Sequence, residues 1–272
     1  MRILLPPSEA KTPGGTGKSL QARKATGSLD AARAPVFHAL AALLRAADPA
    51  AAARALILPE SIAGEAMQVN ARVRISGTRP ALDRYSGVVY DGLAAHQLSR
   101  GARTTAAKAV LVFSGLLGAV RGADPVPNYR VPAKATLPGV GVAGTYWRPK
   151  LSALLPPLLG DGLIVDLRSS DYLSMWQPSR QDPLYERILS VRILSPKPSG
   201  ALAVISYPSK YHKGRLAAAL LEHVAAGNPI RTASDVADVW LSVGGKDARL
   251  GSATKSGLSA TLELITLTSK IV

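Results

Sequence analysis

The apolar positions of this chain change period along its length, and each period predicts an element. Arg2 to Leu5 is a short apolar run stopped by Pro6-Pro7, where proline removes the ladder donor and fixes φ, so it reads as a buried strand. From Leu29 to Ala46 the residues Val36, Phe37, Leu40, Leu43 and Leu44 recur at helical spacing. Asp48-Pro49 then supplies an N-cap and first position for a second short helix through Ile57. Pro59 to Val73 reads as two short helical pieces joined by a hairpin-like turn at Ile62-Ala63-Gly64-Glu65. Lys108 to Phe113 and Leu163 to Leu167 are apolar, partly β-branched runs expected as central strands. Between them, Asp124 to Gly144 is rich in proline and glycine and is expected to be a long ordered loop, where function often sits. Thr145 is placed to cap a helix through about Leu155, and Arg187 to Leu194 and Ala201 to Tyr207 read as neighbouring strands. Ser209 to Ala226 reads as an amphipathic helix stopped by Gly227, Ser234 as the cap of another short helix, and Ala260 to Thr268 as a final strand. The fold class expected is therefore α/β, in the mixed α+β sense. One compact domain over residues 1–272 is predicted, with a mixed central sheet, flanking helices and a helical insertion at about 29–84, and no repeat at a fixed period divides it.

Composition changes this picture mainly through charge. The chain is 47% hydrophobic, enough for a buried core, and no segment reaches the ~18 uninterrupted apolar residues of a membrane span. Against 18 Asp and Glu stand 33 Lys and Arg, a formal net charge of +15. Residues 1–136 carry 18 cations and 8 anions, residues 137–272 carry 15 and 10, so both halves are positive. Such a surplus attracts polyanions at long range and weakens with salt. An alanine- and arginine-rich composition of the kind a GC-rich genome produces accounts for it equally well. The absence of cysteine excludes disulfides, thiolate zinc sites and a cysteine nucleophile. The opening MRILLPP is too short for the apolar region of a signal peptide, and a cytoplasmic protein is expected.

Several motifs invite chemistry. Gly14-Gly15-Thr16-Gly17-Lys18-Ser19 approaches a phosphate loop, but the glycine required five residues before Gly17 is Thr12, and Gln21 to Gly27 lacks the apolar face of a following helix. A basic surface loop is the better reading. His38, His96, His212 and His223 make no metal-ligand spacing, and neither metal nor cofactor is expected. His212 stands apart because it lies in Lys210-Tyr211-His212-Lys213-Gly214-Arg215, where a strand gives way to a helix. With Ser206, Tyr207 and Ser209 nearby, this stretch can hold phosphate or can be an ordinary solvated helix start. Ser114 follows a strand without the glycines of a nucleophile elbow. Asp166, Arg168 and Asp171 follow another strand, where α/β sheets place their sites, though a local ion pair explains them as well. Tyr146, Trp147, Tyr172 and Trp176 read as core aromatics rather than base-stacking platforms.

Seven segments in order resemble the peroxide stress protein YaaA family, over residue 1 to about 225. They are Ile3 to Thr12 (ILLPPSEAKT), Tyr85 to Leu93 (YSGVVYDGL), Phe113 to Arg121 (opening FSGLLG), Asn128-Tyr129-Arg130, Tyr146-Trp147, Val165 to Tyr172 (VDLRSSDY), and Ser206-Tyr207 with Lys210 to Arg215. The resemblance implies a cytoplasmic bacterial protein with one α/β domain, a positively charged cleft and a helix-hairpin-helix-like DNA-binding element, linked to survival of peroxide stress. The chain departs from that pattern at Leu58 to Val73, where the hairpin lacks its second glycine and Glu65 would face the phosphate, and across Gly227 to Leu258.

Joined to the residues, the resemblance yields an anion site of Lys11, Arg130, Lys210, Lys213 and Arg215, provided their strands are neighbours. Five phosphate contacts would give a log-log salt slope of about −4 to −5 on duplex DNA, with little sequence preference. The first function expected is thus a DNA-binding stress protein that performs no chemistry. The alternative is an enzyme acting on a small phosphorylated or carboxylated ligand, with Lys11, Ser8, Tyr90 and His212 as candidate catalytic groups alongside Arg130. Iron sequestration would need ligands at regular spacing, and none is seen. No membrane partner is expected.

Overall fold

The computed structural model describes residues 1–23, 28–46, 48–197, 199–204, 206–251 and 260–266, with the side chains of Ser28 and Ser206 left undescribed. Its strands are β1 Arg2–Leu5, β2 Arg79–Pro80, β3 Val110–Ser114, β4 Gly118–Arg121, β5 Pro125–Val126, β6 Thr136–Leu137, β7 Gly141–Val142, β8 Ile164–Asp166, β9 Ile188–Pro196, β10 Leu202–Val204, β11 Asp247–Gly251 and β12 Ala260–Ile265. Its helices are α1 Ser28–Ala46, α2 Pro49–Ala55, α3 Glu60–Ala71, α4 Ala81–Arg84, α5 Val88–Leu93, α6 Arg100–Ala109, α7 Ala143–Leu154, α8 Pro156–Leu159, α9 Ser170–Leu173, α10 Ser206–Ala225 and α11 Ala233–Ser242. None of the described helices is long and apolar enough to cross a membrane.

The main sheet runs β11-β12-β9-β8-β1-β3-β4, with β10 paired to β9. Its five inner strands are parallel, and β4 and β11 close the two edges antiparallel. Burial on both faces is why β1, β3 and β8 read as apolar runs: Ile3, Leu4 and Leu5 have no exposed surface, nor do Ile164 and Val165. The order also explains where a site can form. The chain leaves β1 for β3 on one side and leaves β8 for β9 on the other, so the carboxyl ends of the neighbours β1 and β8 frame a crevice at a topological switch point. Leu167 N–H donates to Leu4 O at 2.9 Å and carries the pairing one step past β8.

The fold class is mixed α/β, as the periodicities predict. The hairpin turn expected at Ile62-Ala63-Gly64-Glu65 is not there: α3 passes straight through these residues. Gly64 faces open space and costs about 1 kcal/mol relative to alanine, which Ala63, Glu65, Ala66 and Met67 outweigh as helix formers. The turn instead falls at Leu56–Pro59, with Ile57 at φ 52°, between α2 and α3. Other differences are local. The cap of α11 is Thr232, which forms a reciprocal capping box with Asp235, and Ser234 lies inside the helix. Tyr207 belongs to α10 rather than to a strand, and α7 begins at Ala143, two residues before Thr145. Lys108 lies in the last turn of α6 instead of opening β3, and the loop Asp124 to Gly144 contains the β6–β7 pair and β5, whose partner is β2. β12 is described only to Ile265, and residues 267–268 of the expected strand lie outside the described residues, as do 24–27 of the segment after the glycine-rich loop.

Candidate functional site

Lys11 reaches its place through the loop that follows β1. Past the two prolines, this loop runs antiparallel to residues 84–86: Ser86 N–H donates to Ala10 O, Thr12 N–H donates to Arg84 O, and Lys11 and Tyr85 form a bridge. Arg84 clamps the arrangement. Fully buried, it donates Nε to Val126 O at 2.9 Å, Nη2 to Gly14 O at 2.7 Å and to Gly77 O at 3.1 Å, and Nη1 to Thr12 O. The glycine-rich stretch is thereby explained without a phosphate. Gly15 has φ 143° and lies so close to Gly77 and Thr78 that a Cβ there would sit 2.7 Å from Thr78 O.

The Lys11 side chain is 7% exposed. Its Nζ donates to Ser8 O at 2.7 Å and lies over the rings of Tyr129, 4.1 Å from the centroid, and Tyr85, at 5.4 Å. Burial lowers its pKa to about 7, with Arg130 and Arg84 adding to the effect and Glu9 opposing it. Behind it runs a chain of hydroxyls. Tyr129 Oη lies 2.6 Å from Ser114 Oγ at the end of β3 and 2.8 Å from Tyr85 Oη, and burial raises both tyrosines, Tyr85 to about 12. Tyr90 on α5 stacks on Tyr85 at 5.4 Å and donates its hydroxyl to Pro6 O at 2.8 Å, so it fixes the exit from β1. Arg130 is half-buried at the rim. The Asn70 side chain, 1% exposed at the end of α3, accepts from Arg130 N–H at 2.8 Å and donates to Arg130 O at 2.9 Å. Tyr85 and Tyr90 also wall a neighbouring cavity of about 740 Å3, which Lys18, Arg79 and His96 line on other sides.

The remaining candidates divide. Ser8 lies beside Lys11, with its Oγ filling the space where a Cβ at Gly87 would go. Lys213, from α10, reaches the carboxyl end of β8, where Nζ donates to Leu167 O and Arg168 O, both at 3.2 Å. Burial lowers its pKa to about 8. Beneath it, Arg168 and Asp166 form a fully buried ion pair at 2.7 Å, and Arg168 also stacks on Phe113. Lys210 is exposed. Arg215 is not brought to Lys11: its Nη2 donates to Val243 O at 2.8 Å, one residue past α11. His212 points away as well, because adjacent helical residues diverge by about 100°. It is 2% exposed, sits edge-on to Trp240, and has Nε2 3.4 Å from Thr266 Oγ1. The five cations therefore do not share one mouth. Arg130 lies near enough to Lys11 to lower its pKa, and Lys213 stands at the adjacent strand end.

This layout gathers the motif residues of the first, second and fourth resembling segments in one cluster. Residues 1–236 match the family described as Peroxide stress protein YaaA. The chain belongs to that family. A UPF0246 protein of Streptomyces coelicolor is 40% identical over 226 residues, covering 81% of this chain and 83% of its own length. A UPF0246 protein of Corynebacterium efficiens is 35% identical over 247 residues, covering 90% and 93%. Membership of the YaaA family gives the chain a general role connected with peroxide stress. Among the described residues no group of His, Asp and Glu is arranged to hold a metal ion. The groups that sequence reasoning passed over are Tyr85, Tyr129 and Asn70. The two tyrosines lay within resembling segments, whereas nothing in the local pattern marks Asn70, whose partner is 60 residues away.

Proposed function

We propose that this protein acts in the peroxide stress response by taking the anionic group of a small phosphorylated or carboxylated, nucleotide-like ligand at Lys11 and Arg130, with Lys11 as the proton-accepting group. The observation that carries this reading is the environment of Lys11: an amine buried against two tyrosine rings beside a second cation, at the carboxyl edge of the sheet. An amine with a pKa about 7 is partly uncharged at neutral pH and can accept a proton or attack an electrophilic centre. An arriving anion favours its charged form, so binding and proton uptake are coupled. The Ser114–Tyr129–Tyr85 hydroxyls form a path along which a proton can be passed. The cavity of about 740 Å3 beside Tyr85 and Tyr90 is the size of a small-molecule site and has room for a ligand body.

The test is calorimetric titration and thermal shift with nucleotides and sugar phosphates between pH 6 and 9. Expected are stabilisation by at least one phosphorylated ligand, proton uptake on binding near pH 7 to 8, and loss of both in Lys11→Met and Arg130→Ala. Silence across the whole panel would count against the site.

A second reading, the grip on DNA backbone, is favoured by the net charge of +15 and the exposed Lys210. Duplex affinity from low to moderate salt separates the two. A slope of about −4 to −5 that flattens in the Lys213→Ala, Arg215→Ala double variant restores the DNA grip. A shallower slope that this variant leaves alone favours the small ligand.

A further inference from the structure

The edge of the sheet formed by β4 carries a second concave site that the Lys11 chemistry does not use. A cavity of about 730 Å3 lies between α1, β4 and residues 20–23. Leu29, Phe37, Leu117, Val120 and Leu158 give it an apolar floor. A free edge strand beside a groove first suggests addition of a visiting strand. Here the edge is already answered. Arg33 of α1 donates Nε to Leu117 O at 3.0 Å and Nη2 to Ala119 O at 2.9 Å, while its Nη1 pairs with Asp30 at 2.7 Å. The outward N–H of Arg121 is taken by the Asp124 carboxylate at 2.8 Å. A strand would have to displace these groups, so the occupant the cavity fits is not a backbone.

Its charge points to an anion. Arg23, Arg74 and Arg121 line the cavity, and none of the three has an ion-pair partner among the described residues. Gln21 N–H donates to Arg74 O at 2.9 Å and holds the Arg23 loop beside the end of α3. The two carboxylates on the lining are already engaged, Asp30 with Arg33 and Asp124 with backbone. We propose that this cavity binds a small amphipathic monoanion, with an acyl or aryl body on the apolar floor and a carboxylate or sulfonate against the three guanidiniums. Its volume falls in the small-molecule range, and the pairing of apolar floor with charged rim is what such a ligand requires.

The experiment is calorimetric titration of the full chain with decanoate, with decanol as the uncharged analogue and an anilinonaphthalene sulfonate as a displaceable fluorescent probe. Expected are saturable decanoate binding, displacement of the probe, and affinity about ten-fold or more weaker for decanol and in the Arg74→Ala, Arg121→Ala double variant. Both arginines are exposed, and circular dichroism checks that the variant folds. Lys11→Met should leave decanoate binding in place. No binding, equal affinity for decanoate and decanol, an unchanged double variant, or loss of binding in Lys11→Met would each overturn the proposal.

Discussion

Two lysines stand at the carboxyl ends of neighbouring strands, and they are put to different uses. Lys213, over β8, gives its amine to two backbone carbonyls above a buried Asp166–Arg168 pair. Lys11, beyond β1, spends one bond on Ser8 O and otherwise faces aromatic rings, with Arg130 nearby. The same residue type is a strut in one case and, in the reading proposed, a working group in the other. What separates them is the number of carbonyls within reach, since a lysine with two of its three protons engaged has less left to offer a ligand than one that makes a single bond.

Four substitutions test this contrast, beginning with the one of largest effect. Gly214→Ala attacks the seat of Lys213, because a Cβ at Gly214 would lie 1.9 Å from Val89 O where α10 crosses α5. The two helices must separate, and a loss of about 3 kcal/mol or more is expected by denaturant unfolding. The two lysines themselves come next. Lys213→Met leaves Leu167 O and Arg168 O without their donor and should cost about 1–3 kcal/mol, whereas Lys11→Met should stay within about 1 kcal/mol of wild type at pH 7. Both lysines also set a pH dependence. Each releases its proton in the folded state near pH 7 or 8, but in the unfolded chain only near the ordinary 10.5. The unfolded state thus binds more protons across this window, and stability rises with pH from about 7 toward 10. Thermal unfolding scans should show that rise in wild type; in Lys11→Met the part between pH 7 and 8 is lost and the rise above pH 8 is reduced to the share of Lys213. Equal behaviour of the two variants would erase the distinction. A modest effect is expected of Arg215→Ala, which loses the bond to Val243 O: about 0.5–1.5 kcal/mol by unfolding, with ligand binding unaltered.

What could be read from the sequence follows the range of the forces involved. β1, β3 and β8 were legible because burial on both faces writes an apolar run, and Asp48-Pro49 was legible because a cap acts over three residues. α3 was misread at Gly64 because a turn residue was weighed without the propensity of its neighbours. β4 and β11 went unseen, being short edge strands whose partners decide them. In the candidate site, Lys11 and Arg130 were reached through the family resemblance. The contact between Tyr85 and Tyr129 spans 44 residues and leaves no periodic trace. Arg215 and His212 were grouped with Lys213 by adjacency, although a helix sends consecutive side chains in different directions.

Arg84 has a consequence for how the lysine loop can behave. One guanidinium joins carbonyls from residues 12, 14, 77 and 126, segments that enter the molecule from three separate stretches of chain. A hinge placed at the two prolines would have to drag all three stretches with it. The wall that carries the amine is therefore fixed in place by one buried side chain.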